Sequence, residues 1–419
     1  MRHKITQLVK HPLISGSTVV LAGSFVANLC HYFFNLSMGR LLTVADYGLL
    51  TTLISVVALF GIIPGSFTGI FARFTAKYKV NKDEEGYLSL LFNGGKFIFI
   101  LSGIVFFILI LTLPFIVSFL HINNVLLLVL IFILIVLSIL FSLTGGVLQG
   151  EMRFFSLSIL NMMGPFLKIV LGVGFLLLGL QIFGVVLGIL LSSSIAVLIS
   201  FYLVFKNHYK KTYKKQKDFF KEFRKYGTGF FLSSLGITIL SSMDIILVRH
   251  FFGAIPSGQY AALSLMGKAI FYLSAPIYFV FFPLIAQKRE KKEKLFETVV
   301  LAGVVIVLFS SALSFVYFLF PDLILSIFFP AKEYKMLAPY LGIYSLYILI
   351  FSLAMLLNNY FLSIGKTEIY KINLGCGVLF IILLSIFHAS LFQVIAVLFS
   401  VSFLLLLFLS GVMYKELKN

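Results

Sequence analysis

Three ionisable side chains lie deep inside long apolar stretches of this sequence: Lys168, Lys268 and Asp244. Lys168 sits about 12 residues into the run 156–179, roughly 18 Å along a helix axis. A charge in that setting costs roughly 2.5–3.5 kcal/mol on insertion scales, so it requires water, a partner or a ligand. Asp244 and Lys268 differ in depth by only about 6 Å of helix rise and could form an ion pair. Lys168 has no evident acidic partner, which makes it the best candidate for an anion contact, with snorkelling toward water as the alternative. Arg40 and Arg249 stand near the ends of their runs. Ser24, Asn28, His31 and Asn35 are spaced 4, 3 and 4 apart and share one helix face. Such a stripe either lines a cavity or hydrogen-bonds to neighbouring helices. These groups can hold an anion beside a polar wall, with Asp244 as the candidate for ion coupling. No bond-making chemistry is visible: the sequence has no G-x-x-x-x-G-K-[ST] loop, H-E-x-x-H helix or G-x-S-x-G elbow. The two cysteines, Cys30 and Cys376, lie in apolar runs without a CxxC or a Cys/His cluster. No catalytic residue, metal site or cofactor is therefore expected.

The elements that carry these groups are membrane spans. The chain has 419 residues, 60% apolar and 11% charged, with a mean hydropathy of +1.09. That composition excludes a soluble globular domain. Twelve apolar runs stand out, near 13–38, 48–72, 96–119, 124–149, 156–179, 182–205, 227–249, 259–286, 296–320, 336–362, 369–388 and 391–413. They are too long for strands and lack period-2 alternation, so an all-α integral membrane protein is predicted. With the N-terminus inside, 26 Lys and Arg fall on the cytoplasmic side and four on the other. The asymmetry places both termini in the cytoplasm and explains the net charge of +18 without nucleic acid. Nine of those basic residues fall between Lys206 and Lys225, where they face anionic headgroups.

The basic loop sits at mid-chain and divides the molecule into a six-helix bundle at 1–205, a linker at 206–226 and a second bundle at 227–419. A shift of 210 residues lays Gly48 on Gly258, Phe71 on Phe281 and Lys79 on Arg289. With an even number of helices in each half, the repeat is parallel, two bundles around a central cavity. Pro64, Pro165 and Pro276 interrupt the second, fifth and eighth helices, and Gly61, Gly65 and Gly69 form a ridge beside Pro64, read as a packing face or a hinge.

Short patterns then carry a resemblance. Gly39-Arg40-Leu41-Leu42 followed by Asp46-Tyr47-Gly48, Leu148-Gln149-Gly150 with Arg153-Phe154, and Asp244 with Gly253, Gly258, Tyr260, Ala262 and Phe282-Pro283 resemble motifs of polysaccharide-unit flippases. These belong to the multidrug/oligosaccharidyl-lipid/polysaccharide exporter superfamily. The resemblance implies a transporter and not an enzyme, exporting a polyprenyl-diphosphate-linked oligosaccharide across the plasma (inner) membrane for O-antigen, capsule or a related surface polysaccharide. Membrane lipids, and a polysaccharide polymerase and glycosyltransferases, would be its partners. On this reading Arg40, Lys168, Arg249 and Lys268 meet the diphosphate, and Asn28, His31 and Asn35 meet the sugars. The alternatives are a cation-coupled multidrug antiporter, which requires a cavity rich in carboxylates, and a membrane glycosyltransferase or ligase, which requires a lobe outside the bilayer. Asp244 is the one acidic residue deep in a run, and no loop exceeds about 20 residues, so both rank lower.

Overall fold

A computed structural model describes the backbone at residues 12–206, 219–290 and 295–418, and the side chains of these residues apart from 12–21, 219–230, 417–418 and several between 275 and 290. Arg2, Lys4 and Lys10, most of the basic linker, and the side chains of Pro276, Phe282 and Pro283 lie outside the described residues. Among the described residues every regular element is helical. In chain order the helices are α1 (Pro12–Leu41), α2 (Val44–Phe60), α3 (Ile62–Val80), α4 (Glu84–Leu111), α5 (Leu113–Leu120), α6 (Val125–Gly150), α7 (Phe154–Phe175) and α8 (Gln181–Phe205). There follow α9 (Phe219–Phe252), α10 (Ala254–Glu290), α11 (Phe296–Leu319), α12 (Pro321–Phe328), α13 (Ala338–Ser363), α14 (Tyr370–Ile386) and α15 (Leu391–Lys418).

Each of the twelve apolar runs falls on a helix. Among the described residues nine stretches are long and apolar enough to cross a membrane, and one of these, Phe154–Phe205, is α7 and α8 in succession. Hydropathy locates the spans, but caps set the helix ends. The helix expected from 96 begins at Glu84, because the Asp83 side chain accepts a hydrogen bond from the Gly86 amide at 2.8 Å. The second run is split where Pro64 has no N–H to offer the Phe60 carbonyl, so α2 ends at Phe60 and α3 begins at Ile62. Of the small-residue ridge there, Gly65 and Gly69 have no atom of the described residues within 4 Å of where a Cβ would stand. The close packing that such a ridge suggests is therefore absent at these two positions. The third and ninth spans are each followed by an eight-residue helix with proline in its first turn, α5 and α12.

Contacts gather into two compact units: residues 1–34 with 60–228, and residues 35–59 with 229–419. In the first unit, glycines let helices approach to backbone distance. A Cβ at Gly146 of α6 would lie 2.6 Å from the Thr68 carbonyl of α3. At Gly188 of α8 it would lie 2.7 Å from the Gly172 amide of α7. The second unit is bonded across its core by polar side chains, with Tyr317 donating to the Met266 carbonyl at 3.0 Å and Tyr278 to Ser352 at 2.9 Å. Asn373 of α14, fully buried, donates to the Ser233 hydroxyl of α9 and to the side-chain Oδ1 of Asn358 of α13, both at 2.8 Å. Residues 35–59 join this unit because Gly48 meets Ser257 and Gly258, and a side chain at Gly258 would overlap the Val44 carbonyl.

One end of the first unit is fixed by charge. Glu151, at the C-terminus of α6, pairs with Lys79 at 2.9 Å and Arg153 at 3.5 Å and accepts from the Tyr87 hydroxyl at 2.8 Å. The Lys79 ammonium also lies 4.1 Å from the centre of the Tyr87 ring. Burial pushes the Glu151 carboxyl up, but the hydrogen bonds from Lys79 and Tyr87 and the two cationic charges outweigh it and hold it below the ordinary carboxylate range. A depressed folded value stabilises the fold above the unfolded pKa, and the gain is lost as pH falls through the folded value. Thermal unfolding of the detergent-solubilised protein should therefore drop in midpoint on acidification below about pH 4.5. Glu151→Gln should lower the midpoint at pH 7 and flatten this dependence. Parallel pH profiles for the two proteins would show that Glu151 does not anchor this end.

Candidate functional site

The predicted contacts separate into two groups, one in each unit. In the first unit α1 lies along α7, touching it where Gly23 meets Ser158 and again where Phe34 meets Gly172. Gly172 stands four residues, about one turn, after Lys168 and leaves room for the Phe34 ring. The Lys168 ammonium sits 4.0 Å from the centre of that ring, and the residue is 7% exposed. Among the described residues Lys168 has neither a hydrogen bond nor an ion pair within 4 Å. His31 is near enough for the lysine charge to act on it. Ser24, Asn28, His31 and Asn35 are all partly buried, between the buried positions Ala27 and Phe34 and the exposed Phe25 and Phe33. Ser24, Asn28, His31 and the lysine thus belong to one locality of the first unit, while Asn35 is grouped with the second.

In the second unit Asp244 of α9 is 2% exposed. Its Oδ2 accepts from the Tyr260 hydroxyl of α10 at 2.7 Å, while Oδ1 is buried and among the described residues has no hydrogen-bond partner. Tyr344 of α13 stands edge-on to Tyr260 with ring centres 6.0 Å apart, and Tyr347 stands edge-on to Tyr344 at 5.2 Å. Among the described residues no ion pair within 4 Å joins Asp244 to Lys268; the lysine acts on it only through longer-range electrostatics. The two arginines are engaged within the same unit. Arg40 donates through Nε to the Phe328 carbonyl at 3.1 Å and through Nη2 to the Ile327 carbonyl. Arg249 is 6% exposed, donates to the Ser257 hydroxyl at 3.4 Å and feels the charge of Asp46. Among the described residues no group of three or more His, Cys, Asp and Glu is placed to hold a metal.

Sequence reasoning passed over Phe34, Tyr344 and Tyr347. Phe34 was within reach, since it lies three residues after His31 and so on a neighbouring face of α1. The tyrosines come from α13, and nothing in the local pattern ties them to Asp244.

With this geometry in place, the comparison with known families is decisive. The model of a family described as polysaccharide biosynthesis protein matches residues 13–289. The chain belongs to that family. No curated protein sequence matches. Among solved structures, the chain is similar to an inward-facing multidrug resistance MATE family transporter of the MOP superfamily, with a TM-score of 0.76 and 14% identity over 96% of this chain and 99% of that one. It is also similar to an outward-facing MATE transporter, at 0.64 and 16% over 99% and 98%. A MOP superfamily transporter from Pyrococcus furiosus, described as having a binding pocket of reversed polarity, matches at 0.65 and 18% over 99% and 98%. These likenesses establish the fold. The chain is a multi-pass helical membrane protein of the polysaccharide biosynthesis family, with the architecture of MOP transporters.

Proposed function

We propose that the protein moves a polyprenyl-diphosphate-linked oligosaccharide from the inner to the outer leaflet of a plasma membrane, by alternating access, for assembly of a surface polysaccharide such as O-antigen or capsule. The observation that carries the reading is Lys168. A buried ammonium against an aromatic face gains about 2 kcal/mol or more from that face, comparable with the roughly 2.5–3.5 kcal/mol that its depth costs, yet among the described residues it makes no hydrogen bond and no ion pair. An anion that visits the site would supply both, and a diphosphate is a compact one. Lys268, in the second unit, is the alternative cation, Asn28, His31 and Asn35 offer donors and acceptors to sugars, and the prenyl tail stays in lipid. Arg40 and Arg249 would meet the diphosphate only by giving up their partners in the second unit. Both termini face the cytoplasm on this reading, and the enzymes that build and polymerise the glycan are its partners.

An inside-negative potential drives an anion outward by about 2.3 kcal/mol per charge per 100 mV, so ATP is unnecessary. Asp244 supports a further element: a buried carboxylate with one unpartnered oxygen can take up a proton or a monovalent cation and so couple transport to an ion gradient. The same atom favours the second reading, a cation-coupled drug antiporter. Both are tested in vesicles containing the purified protein and a fluorescent polyprenyl-diphosphate oligosaccharide, with leaflet exposure read by an impermeant quencher. Flipping is expected to exceed that of protein-free vesicles at least tenfold and to be unaffected by a lipophilic cationic dye. Transport of the dye with no movement of the glycolipid would establish the antiporter instead.

A further inference from the structure

We propose that the first unit binds an anionic phospholipid in a groove between α4 and α8, with Lys96 and Lys206 holding its phosphate and its acyl chains lying over α6. The inference does not depend on what the protein carries. Both outer helices pack on α6: a Cβ at Gly95 of α4 would lie 3.4 Å from Leu143, and the next residue of α6, Thr144, shares a hydrogen bond of 2.8 Å with Ser200 of α8. At the end of the unit that Glu151 fixes, α4 and α8 meet through Phe92 and Phe205, whose rings stand edge to face 5.9 Å apart. Phe201 stacks on Phe205 at 5.6 Å. Away from that end, Ile133, Leu137 and Leu140 of α6 lie on the face of Thr144 and stay partly exposed, the floor of a trough between the two outer helices.

The charges are placed for a phosphate. Lys96 follows Phe92 by about one turn and Lys206 follows Phe205 directly, so one cation lies deeper than the ring pair and one nearer the helix ends. Both lysines are exposed, and among the described residues neither has an ion pair within 4 Å. The Lys206 ammonium rests 5.6 Å from the centre of the Tyr202 ring. Lys96 stands about 18 Å along α4 from Glu84, a depth from which an exposed ammonium must reach back toward the headgroups. Side chains of α4 tilt toward its N-terminus, which is the end that Glu151 fixes, and this favours that reach. Glu84 and Glu85 come about 10–12 Å before Phe92 along the helix, short of the rings. Two ammoniums without a carboxylate between them attract a headgroup of net negative charge and repel the cation of a choline or ethanolamine lipid. The chains have matching walls. On α8 the exposed stripe of Leu191, Ile195, Leu198 and Tyr202 runs about 16 Å, half of the roughly 30 Å hydrocarbon layer. On α4 the exposed Ile100, Ile104 and Phe107 continue the face of Lys96.

The sequence contains no tryptophan, so one placed at the exposed Leu198 reports on this groove alone. In the full-length protein reconstituted in phosphatidylcholine, chain-brominated phosphatidylglycerol should quench Leu198→Trp at mole fractions about tenfold lower than chain-brominated phosphatidylcholine does. A tryptophan placed instead at Leu308, exposed on α11, should be quenched equally by both. A cation near an anionic headgroup accounts for about a fivefold factor, so Lys96→Gln and Lys206→Gln should each reduce the preference by about that much, while Lys96→Arg keeps it. Equal quenching of Leu198→Trp by the two lipids, or the same preference at Leu308, overturns the site. So does a preference that either glutamine substitution leaves intact, or that arginine at position 96 fails to keep. Displacement of the brominated lipid by a polyprenyl diphosphate at lower concentration than by phosphatidylglycerol would overturn it as well, by making the groove a place for cargo.

Discussion

Replacing Lys168 with glutamine is expected to lower surface polysaccharide export at least tenfold while leaving the amount of protein in the membrane unchanged. Glutamine keeps much of the length and polarity and removes the charge. A hydrogen bond to a charged group contributes about 1.5–3 kcal/mol, which corresponds to a loss of roughly ten- to 150-fold when the charge on one side is deleted. Because the ammonium has no acidic partner among the described residues, its removal leaves no buried carboxylate uncompensated. Stability should therefore hold or rise, and Lys168→Met should raise the unfolding midpoint of the detergent-solubilised protein while abolishing export. Opposite movement of stability and transport is the signature of a residue kept for a ligand. If Lys168→Gln exports at the wild-type level, or if both substitutions unfold the protein, the lysine is a structural element and the cargo's anion binds elsewhere.

The second large effect is structural and lies on the α3–α6 crossing. Gly146→Val should destabilise the first unit by about 3 kcal/mol, the upper part of the range for overpacking. A Cβ there would lie 2.6 Å from both the Thr68 carbonyl and the Phe71 Cβ, and the carbonyl belongs to a helix backbone that cannot turn aside. Gly150, one turn later, meets the Ala72 carbonyl and Thr75 in the same way, so the whole of α6 would have to move away. Membrane abundance and unfolding midpoint should both fall. Gly103→Ala is the control, since among the described residues nothing lies within 4 Å of its Cβ position, and it should behave as wild type. Equal abundance and midpoint for Gly146→Val and Gly103→Ala would mean that the crossing is looser than it is drawn here.

Much of this architecture was legible because the bilayer imposes a crude rule: a backbone in lipid must satisfy itself, so long apolar runs are helices. Lys168, His31 and Asn35 were found on the same ground, as polar atoms where none should be without cause. What the sequence concealed are arrangements set by packing between distant helices. The ion pair anticipated for Asp244 and Lys268 rested on depth alone, and the tyrosine hydroxyl that bonds the aspartate comes from a residue whose role the motif did not reveal. Arg40 looked like a cation awaiting an anion; its partners are carbonyls at the end of α12, 287 and 288 residues away, and no local periodicity points to them. The ridge at Gly65 and Gly69 misled for a related reason: small residues permit close approach, but a neighbour must be present to use it.

The attachment of residues 35–59 to the far half of the chain also has a consequence in time. Arg40 leaves the ribosome 288 residues before Phe328, and at about 5–20 residues per second that interval is roughly 15 to 60 s. In the later part of it the first half is complete, yet Gly39 of α1 and Tyr47 of α2 have no Phe329 to meet. Side chains such as Tyr47, fully buried in the finished molecule, are therefore uncovered during its synthesis. A quality-control protease that recognises unpaired helices in the membrane would find its substrate there in every chain that stalls before α12, and would lose it once Tyr334 has joined the fold.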